Sequence, residues 1–268
     1  MDEHARHLGQ VIAAAWRQAY GAGRIEVPMS MVASLALFDT PTPEHAPQPL
    51  DEVVEMDDHA FLRELYARWN LGAYTWPRLH HLWLPWFEWT GALLMFPSRE
   101  RTDGRIIAAA RRIGALAVRE GLADLITSGH TEARCDVLGH ILNPLHTQLQ
   151  AEEPTADPTP VLVGPDHDAA WARQLRPGAV VHDPAAWTGT RIMHLVRDLG
   201  QRGIDPRTLT WRLRATDTVA AATLATSCAL WGLGGAVVIG TSPDEATWVR
   251  TAEKQIRAAT NRRRLGLC

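Results

Sequence analysis

The residues Asp183-Pro184-Ala185-Ala186-Trp187-Thr188-Gly189-Thr190 have the clearest capacity for chemistry in this chain. They follow an apolar run, Gly178-Ala179-Val180-Val181-His182, and precede a helical pattern that begins near Arg191. A strand that turns through Asp-Pro into a helix brings backbone N–H groups and a helix N-terminus to one corner. In α/β folds such a corner receives phosphate or nucleoside groups. Asp217 lies just after a second apolar run, Thr208 to Arg214. A carboxylate there suits the cap of a helix starting at Thr218.

Other constellations are weaker. His80-His81, His130, His140 and His146 cluster along the chain. Zinc requires spaced ligands that converge on one point, and neither H-E-x-x-H nor C-x-x-C occurs here. Packing or surface histidines are expected, and no metal. Asn143-Pro144-Leu145-His146 sits in a helical pattern and reads as a helix kink. Trp83, Trp86 and Trp89, with Phe87, stand at three-residue spacing. They could stack on unpaired bases, but the spacing favours a core or an interface. Arg250, Lys254, Arg257 and Arg262 to Arg264 read as a solvated face or a modest basic patch.

These residues need elements to position them. Apolar positions at helical spacing predict helices over His4–Tyr20, Met31–Leu37 (after Pro28 and Ser30), Phe61–Trp69, Pro77–Leu94, Ile106–Leu122 and Asp136–Leu149. Thr40 to Pro49 is proline-rich and reads as a loop. Glu152 to Pro165 holds four prolines and reads as a linker. Beyond it the pattern becomes strand, helix, strand, helix, strand, helix. The strands are Gly178–His182, Thr208–Arg214 and Ala236–Gly240, and the helices Arg191–Arg202, Thr218–Leu230 and Pro243–Arg264. Crossovers of that length imply a parallel sheet. The expected organisation is a helical domain over 1–150, a proline-rich linker over 151–167 and an α/β domain over 168–268.

The 268 residues are 46% hydrophobic and 21% charged, with a net charge of −3, so a sizeable core is expected and no general attraction to nucleic acid. No apolar run reaches transmembrane length, and the N-terminus does not read as a signal peptide. Cys135, Cys228 and Cys268 are odd in number and far apart, which favours a reducing cytoplasm over a disulfide framework.

Three strings, in order, carry a family likeness: G-A-V-V-H-D-P-A-A-W-T-G-T, R-G-I-D-P-R-T-L-T-W-R-L-R-A-T-D and A-L-W-G-L-G, the last spanning Ala229 to Gly234. With G-A-G-R-I-E-V-P-M-S-M-V-A-S-L-A-L at Gly21 to Leu37, the chain resembles the front part of the N-6 adenine DNA methylases. It resembles in particular the actinobacterial forms related to the modification subunit of type I restriction systems. The resemblance implies a helical N-terminal domain and a truncated Rossmann-like methyltransferase domain. It also implies S-adenosylmethionine as cofactor and the exocyclic amine of a flipped adenine as acceptor. Asp183, Pro184, Ala185, Thr188 and Gly189 match the family's cofactor loop, and Asp217 falls near its ribose position.

The departures are as informative. Trp187 and Thr190 stand where the family has glycines, and an indole both fills open space and disfavours left-handed φ. Ala215 occupies the place of the ribose carboxylate. Gly240-Thr241-Ser242-Pro243 lacks the usual acid, and the catalytic N/D-P-P-Y/F segment is missing. The expectation is a methylase-like protein that has lost methyl transfer and serves as a binding, regulatory or accessory subunit, with no catalytic residue and a degenerate cofactor pocket. The alternatives are an active S-adenosylmethionine-dependent methyltransferase, alone or completed by a partner chain, and a DNA-binding subunit. With three strands of the family's sheet, the first lies at an edge. A homodimer or a protein partner is expected to cover it.

Overall fold

A computed structural model of the chain describes residues 2–38, 50–95, 100–127, 135–152, 173–242 and 244–264. The expected loop over Thr40–Pro49 and nearly all of the expected linker lie outside the described residues. The described part is mostly helical and carries a short parallel sheet.

Among the described residues eight helices precede the sheet: α1 (Asp2–Ala19), α2 (Glu26–Phe38), α3 (Leu50–Glu55), α4 (Asp58–Thr75), α5 (Leu84–Met95), α6 (Glu100–Arg119), α7 (Leu122–Thr127) and α8 (Val137–Glu152). A 3-10 turn, His80–Leu82, leads into α5. The sheet half runs β1 (Val180–Asp183), α9 (Thr190–Gln201), β2 (Thr210–Arg214), α10 (Thr218–Leu230), β3 (Val237–Gly240) and α11 (Glu245–Arg264).

Several helix boundaries depart from the periodicity, and the helix expected over Pro77–Leu94 begins only at Leu84, after the 3-10 turn. Pro28 and Ser30 lie inside α2 rather than before it. Proline is tolerated in the first turn, where its missing N–H has no intrahelical acceptor. The pattern over Ile106–Leu122 is two helices, because Gly121 takes φ +86° and breaks the chain between Arg119 and Leu122. Pro144 stays within α8. It frees the carbonyl of His140, and that carbonyl faces Gly9 of α1, where an added Cβ would sit 2.0 Å from the oxygen.

The sheet order is β1-β2-β3 and both pairings are parallel. In register, Val181 faces Trp211 and Trp211 faces Val237. Alternation then sorts the two faces. Val181, Trp211, Leu213, Val237 and Ile239 are buried in the main core. On the other face Val238 packs with Trp248, Val249 and Ala252 of α11, while Val180 remains half exposed. Among the described residues β1 pairs with β2 alone, so it lies at an edge as expected.

The main core does not stop at the boundary between the halves. It runs from Ala5 of α1 to Ile239 of β3. The buried helix α2 contacts α4, α5, α6, α8 and α10. The Trp83 indole donates to the Thr226 hydroxyl of α10 at 3.1 Å, joining residues 143 apart. Trp83, Trp86 and Trp89 are buried, Trp83 and Trp86 against Trp69, which settles the aromatic run as core.

The string Ala229 to Gly234 is a helix stop. Gly232 takes φ +80°, its N–H bonds the Ala229 carbonyl at 3.0 Å, and the Leu233 N–H bonds the Cys228 carbonyl at 2.7 Å. This is a Schellman motif, which glycine closes at no steric cost. Gly234 is required for packing: a Cβ there would lie 2.4 Å from Trp76.

Candidate functional site

Asp183 ends β1 and turns the chain. Its Oδ1 accepts from the Ala185 N–H at 2.9 Å, and its Oδ2 lies 3.7 Å from Arg191 Nε. The Pro184 carbonyl accepts from Arg214 Nε at 2.6 Å, and the Ala186 N–H donates to the Arg214 carbonyl at 3.0 Å. The turn is therefore bound to the end of β2 through Pro184 and Ala186.

Trp187 comes next, with φ +46° and 5% exposure. The expectation that an indole would deny the loop its left-handed residue is overturned. The tryptophan itself takes that conformation, at a steric cost of about 1–2 kcal/mol. Burial of the ring among core residues offsets that cost. Its ring centroid lies 6.5 Å from that of His146 on α8. Gly189 also has positive φ, +101°, and caps α9. A Cβ there would meet Leu224 at 2.7 Å and Trp231 at 3.0 Å, so the glycine serves both the turn and close helix packing.

The group that organises the corner is Asp136. Its Oδ1 accepts from the Gly139 N–H at 2.9 Å, capping α8. Its Oδ2 accepts from the Thr188 hydroxyl at 2.9 Å and from the Thr190 hydroxyl, at the start of α9, at 2.6 Å. Asp136 is 2% exposed. Burial holds its carboxyl above the usual range, opposed only in part by the bonds from Thr190, Gly139 and Thr188. Gly139 permits the contact, since a Cβ would fall 2.1 Å from Asp136 Oδ2 and 2.5 Å from Thr188 Oγ1. A strand-to-helix corner of this kind favours an anion at the helix N-terminus. Here the Asp136 carboxyl accepts from the Thr188 and Thr190 hydroxyls at that helix start.

Asp217 caps α10, its Oδ1 accepting from the Ala220 N–H at 2.8 Å. Its Oδ2 stands 3.6 Å from His146 Nε2. Burial lowers the pKa of His146 and the carboxylate of Asp217 opposes that shift. Ala215 is buried, and its N–H donates to the Gly240 carbonyl at 3.0 Å.

The structure therefore brings Asp183, Pro184, Ala185, Trp187, Thr188 and Gly189 into one turn, with Asp217 beside it through His146. The sequence reading missed Asp136 and His146 as parts of this corner. An aspartate before an apolar helix is a legible cap signal. Its second set of partners, more than fifty residues away, is not.

Among the described residues no three His, Cys, Asp or Glu side chains gather as a metal centre. Cys135 and Cys228 are buried free thiols, and burial pushes Cys135 up to about 12. Among the described residues no helix is long and apolar enough to cross a membrane.

No protein-family model, curated protein or solved structure matches the chain.

Proposed function

We propose that the chain is a methylase-derived binding protein, an accessory or regulatory subunit that keeps the first half of a Rossmann-like methyltransferase domain without methyl transfer. One observation supports this reading above the others: Asp136, the cap of α8, accepts from the Thr188 and Thr190 hydroxyls in the turn between β1 and α9. A family member's loop must let its backbone approach the methionine end of S-adenosylmethionine. Here Trp187 is buried in that loop, and Thr188 and Thr190 are engaged by the protein's own carboxylate. Ala215 offers no carboxylate to a ribose. These residues do not fit the cofactor.

Calorimetric titration of the full chain with S-adenosylmethionine tests the reading. The expected result is no saturable heat. Micromolar binding would sink it and leave an active methyltransferase, alone or completed by a partner chain, as the better account. DNA binding is a separate question, settled by a filter-binding series in salt. A steep loss of affinity with rising salt marks phosphate contacts, and flat or absent binding removes a DNA-binding role.

A further inference from the structure

Helix α11 buries one face against β3. Trp248, Val249 and Ala252 lie there with Val238, and Ile256 packs against them. The helical repeat turns Arg250, Lys254 and Arg257 to the opposite face, and all three are exposed. Elsewhere Arg24, Arg68, Arg111, Arg202 and Arg207 each stand within ion-pair distance of a carboxylate. Among the described residues the three cations of α11 have no such partner. Asp244 lies in the field of Arg250, but its Oδ2 is engaged by the Thr247 N–H and hydroxyl. The sequence also gathers positive charge on this helix, with six Arg or Lys against two Glu. The rest of the chain holds twenty-one Arg or Lys against twenty-eight Asp or Glu.

We propose that the outer face of α11 is a docking surface for an acidic helix of a partner protein. It rests on the reading of the chain as an accessory subunit and gives that subunit's partner a chemistry. Arg250 and Lys254 are four residues apart and Lys254 and Arg257 three, so the cations climb one stripe in steps of about 6 Å and about 4.5 Å. Glutamates at the same intervals on a second helix repeat those steps, and each carboxylate then meets a cation. One exposed ion pair contributes little, so recognition lies in three pairs in register. Arginine forks take carboxylates through two parallel bonds, which fixes that register. Ala246, Thr247 and Ala258 are exposed beside the stripe, and their small side chains let a second helix come close. Duplex nucleic acid fits less well. A duplex that runs past α11 meets the net-negative remainder of the chain, whereas a short acidic helix stays within a Debye length of the stripe, about 8–10 Å. Among the described residues the exposed face of α11 carries no aromatic side chain on which unpaired bases could stack.

The test is fluorescence anisotropy on the full chain in about 100 mM salt, where attraction beyond about 10 Å is screened. The probe is a fluorescein-labelled helical peptide with glutamates at the intervals of the stripe. Its counterparts are the same peptide with glutamine in their place and a short DNA duplex. The glutamate peptide should saturate with one site per chain, and both counterparts should bind about tenfold more weakly or not at all. Arg250→Glu, Lys254→Glu and Arg257→Glu together should weaken the glutamate peptide about tenfold or more. Arg6→Glu, Arg63→Glu and Arg112→Glu, at exposed positions of the helical half, change the net charge equally and should leave its affinity unchanged. Lys254 is the only lysine of the chain. A carbodiimide crosslink from the peptide's glutamates should therefore map to Lys254 in the parent, a readout that needs no folded variant. Absence of saturation, a counterpart binding as tightly as the glutamate peptide, wild-type affinity in the α11 variant, weakened binding in the control variant, or a crosslink confined to the α-amine would each overturn the proposal. Binding of S-adenosylmethionine in the calorimeter would sink the accessory-subunit reading and leave these affinities unchanged, so the two failures are told apart.

Discussion

Asp136 and Thr188 share a 2.9 Å hydrogen bond although 52 residues of chain separate them. The bond ties the N-terminus of α8 to the loop between β1 and α9. Thr190 bonds the same oxygen, so the carboxylate bridges loop and helix at once. The corner that would otherwise be open is thereby part of the core.

Removing the bridge should cost stability. In Asp136→Ala two hydroxyls and the Gly139 N–H lose a buried acceptor, and the expected loss is about 3 kcal/mol by urea denaturation. Thr188→Val removes one bond and should cost about 1 kcal/mol. Equal stability of Asp136→Ala and the parent would show that the bridge contributes nothing.

Trp187→Gly sets two effects against each other. Loss of a buried indole costs about 3–5 kcal/mol, and relief of the left-handed conformation returns about 1–2 kcal/mol. The net expectation is destabilisation by about 2 kcal/mol in the same assay. The variant should still fail to bind S-adenosylmethionine in the calorimeter, because the Asp136 bridge and Ala215 remain.

Gly9→Ala places a methyl group against the His140 carbonyl that Pro144 leaves free. Helices α1 and α8 must move apart, at a cost of about 2 kcal/mol in thermal or urea unfolding. Pro144→Ala restores a backbone donor to that carbonyl, and in that background the glycine substitution should cost no less.

His81 predicts an acid-sensitive fold. Its folded pKa, about 4, lies below its ordinary 6.5, so the unfolded chain binds more protons between those values. Stability contributed by the neutral ring is complete above pH 6.5 and is lost as pH falls toward 4. The drop should reach about 3 kcal/mol at most, and a stability–pH series on His81→Phe should be flatter across that window. A parallel pair of curves would refute the assignment.

The β1 edge predicts association. Val180 is half exposed there, and among the described residues β1 pairs with β2 alone. We expect a dimer by sedimentation equilibrium at micromolar concentration and a shift toward monomer in Val180→Asp. A monomeric parent would remove the homodimer and leave a protein partner as the proposed cover.

Much of the architecture was legible because it is local. Helical periodicity located most of the helices, and alternation with crossover-length spacing located three parallel strands in order. Asp217 before Thr218 announced a cap, and glycines announced the stops at Gly203 and Gly232. These signals depend on neighbours within a few residues, so the linear chain carries them whole. The helix that splits at Gly121 was not legible, because the apolar spacing continues across the break.

What the corner does with its residues was decided by tertiary structure. The sequence by itself determined a strand–turn–helix with Trp187 in its turn and Ala215 just after the second strand. Only the packed structure decided that Trp187 takes the left-handed conformation and turns into the core. Only it decided that Asp136 crosses from α8 to hold Thr188 and Thr190. Backbone sterics disfavour the first by an amount that burial can reverse, and the sign of that balance depends on what surrounds the ring. The second joins residues distant along the chain, and no spacing rule relates a helix cap to a hydroxyl that reaches it through the fold.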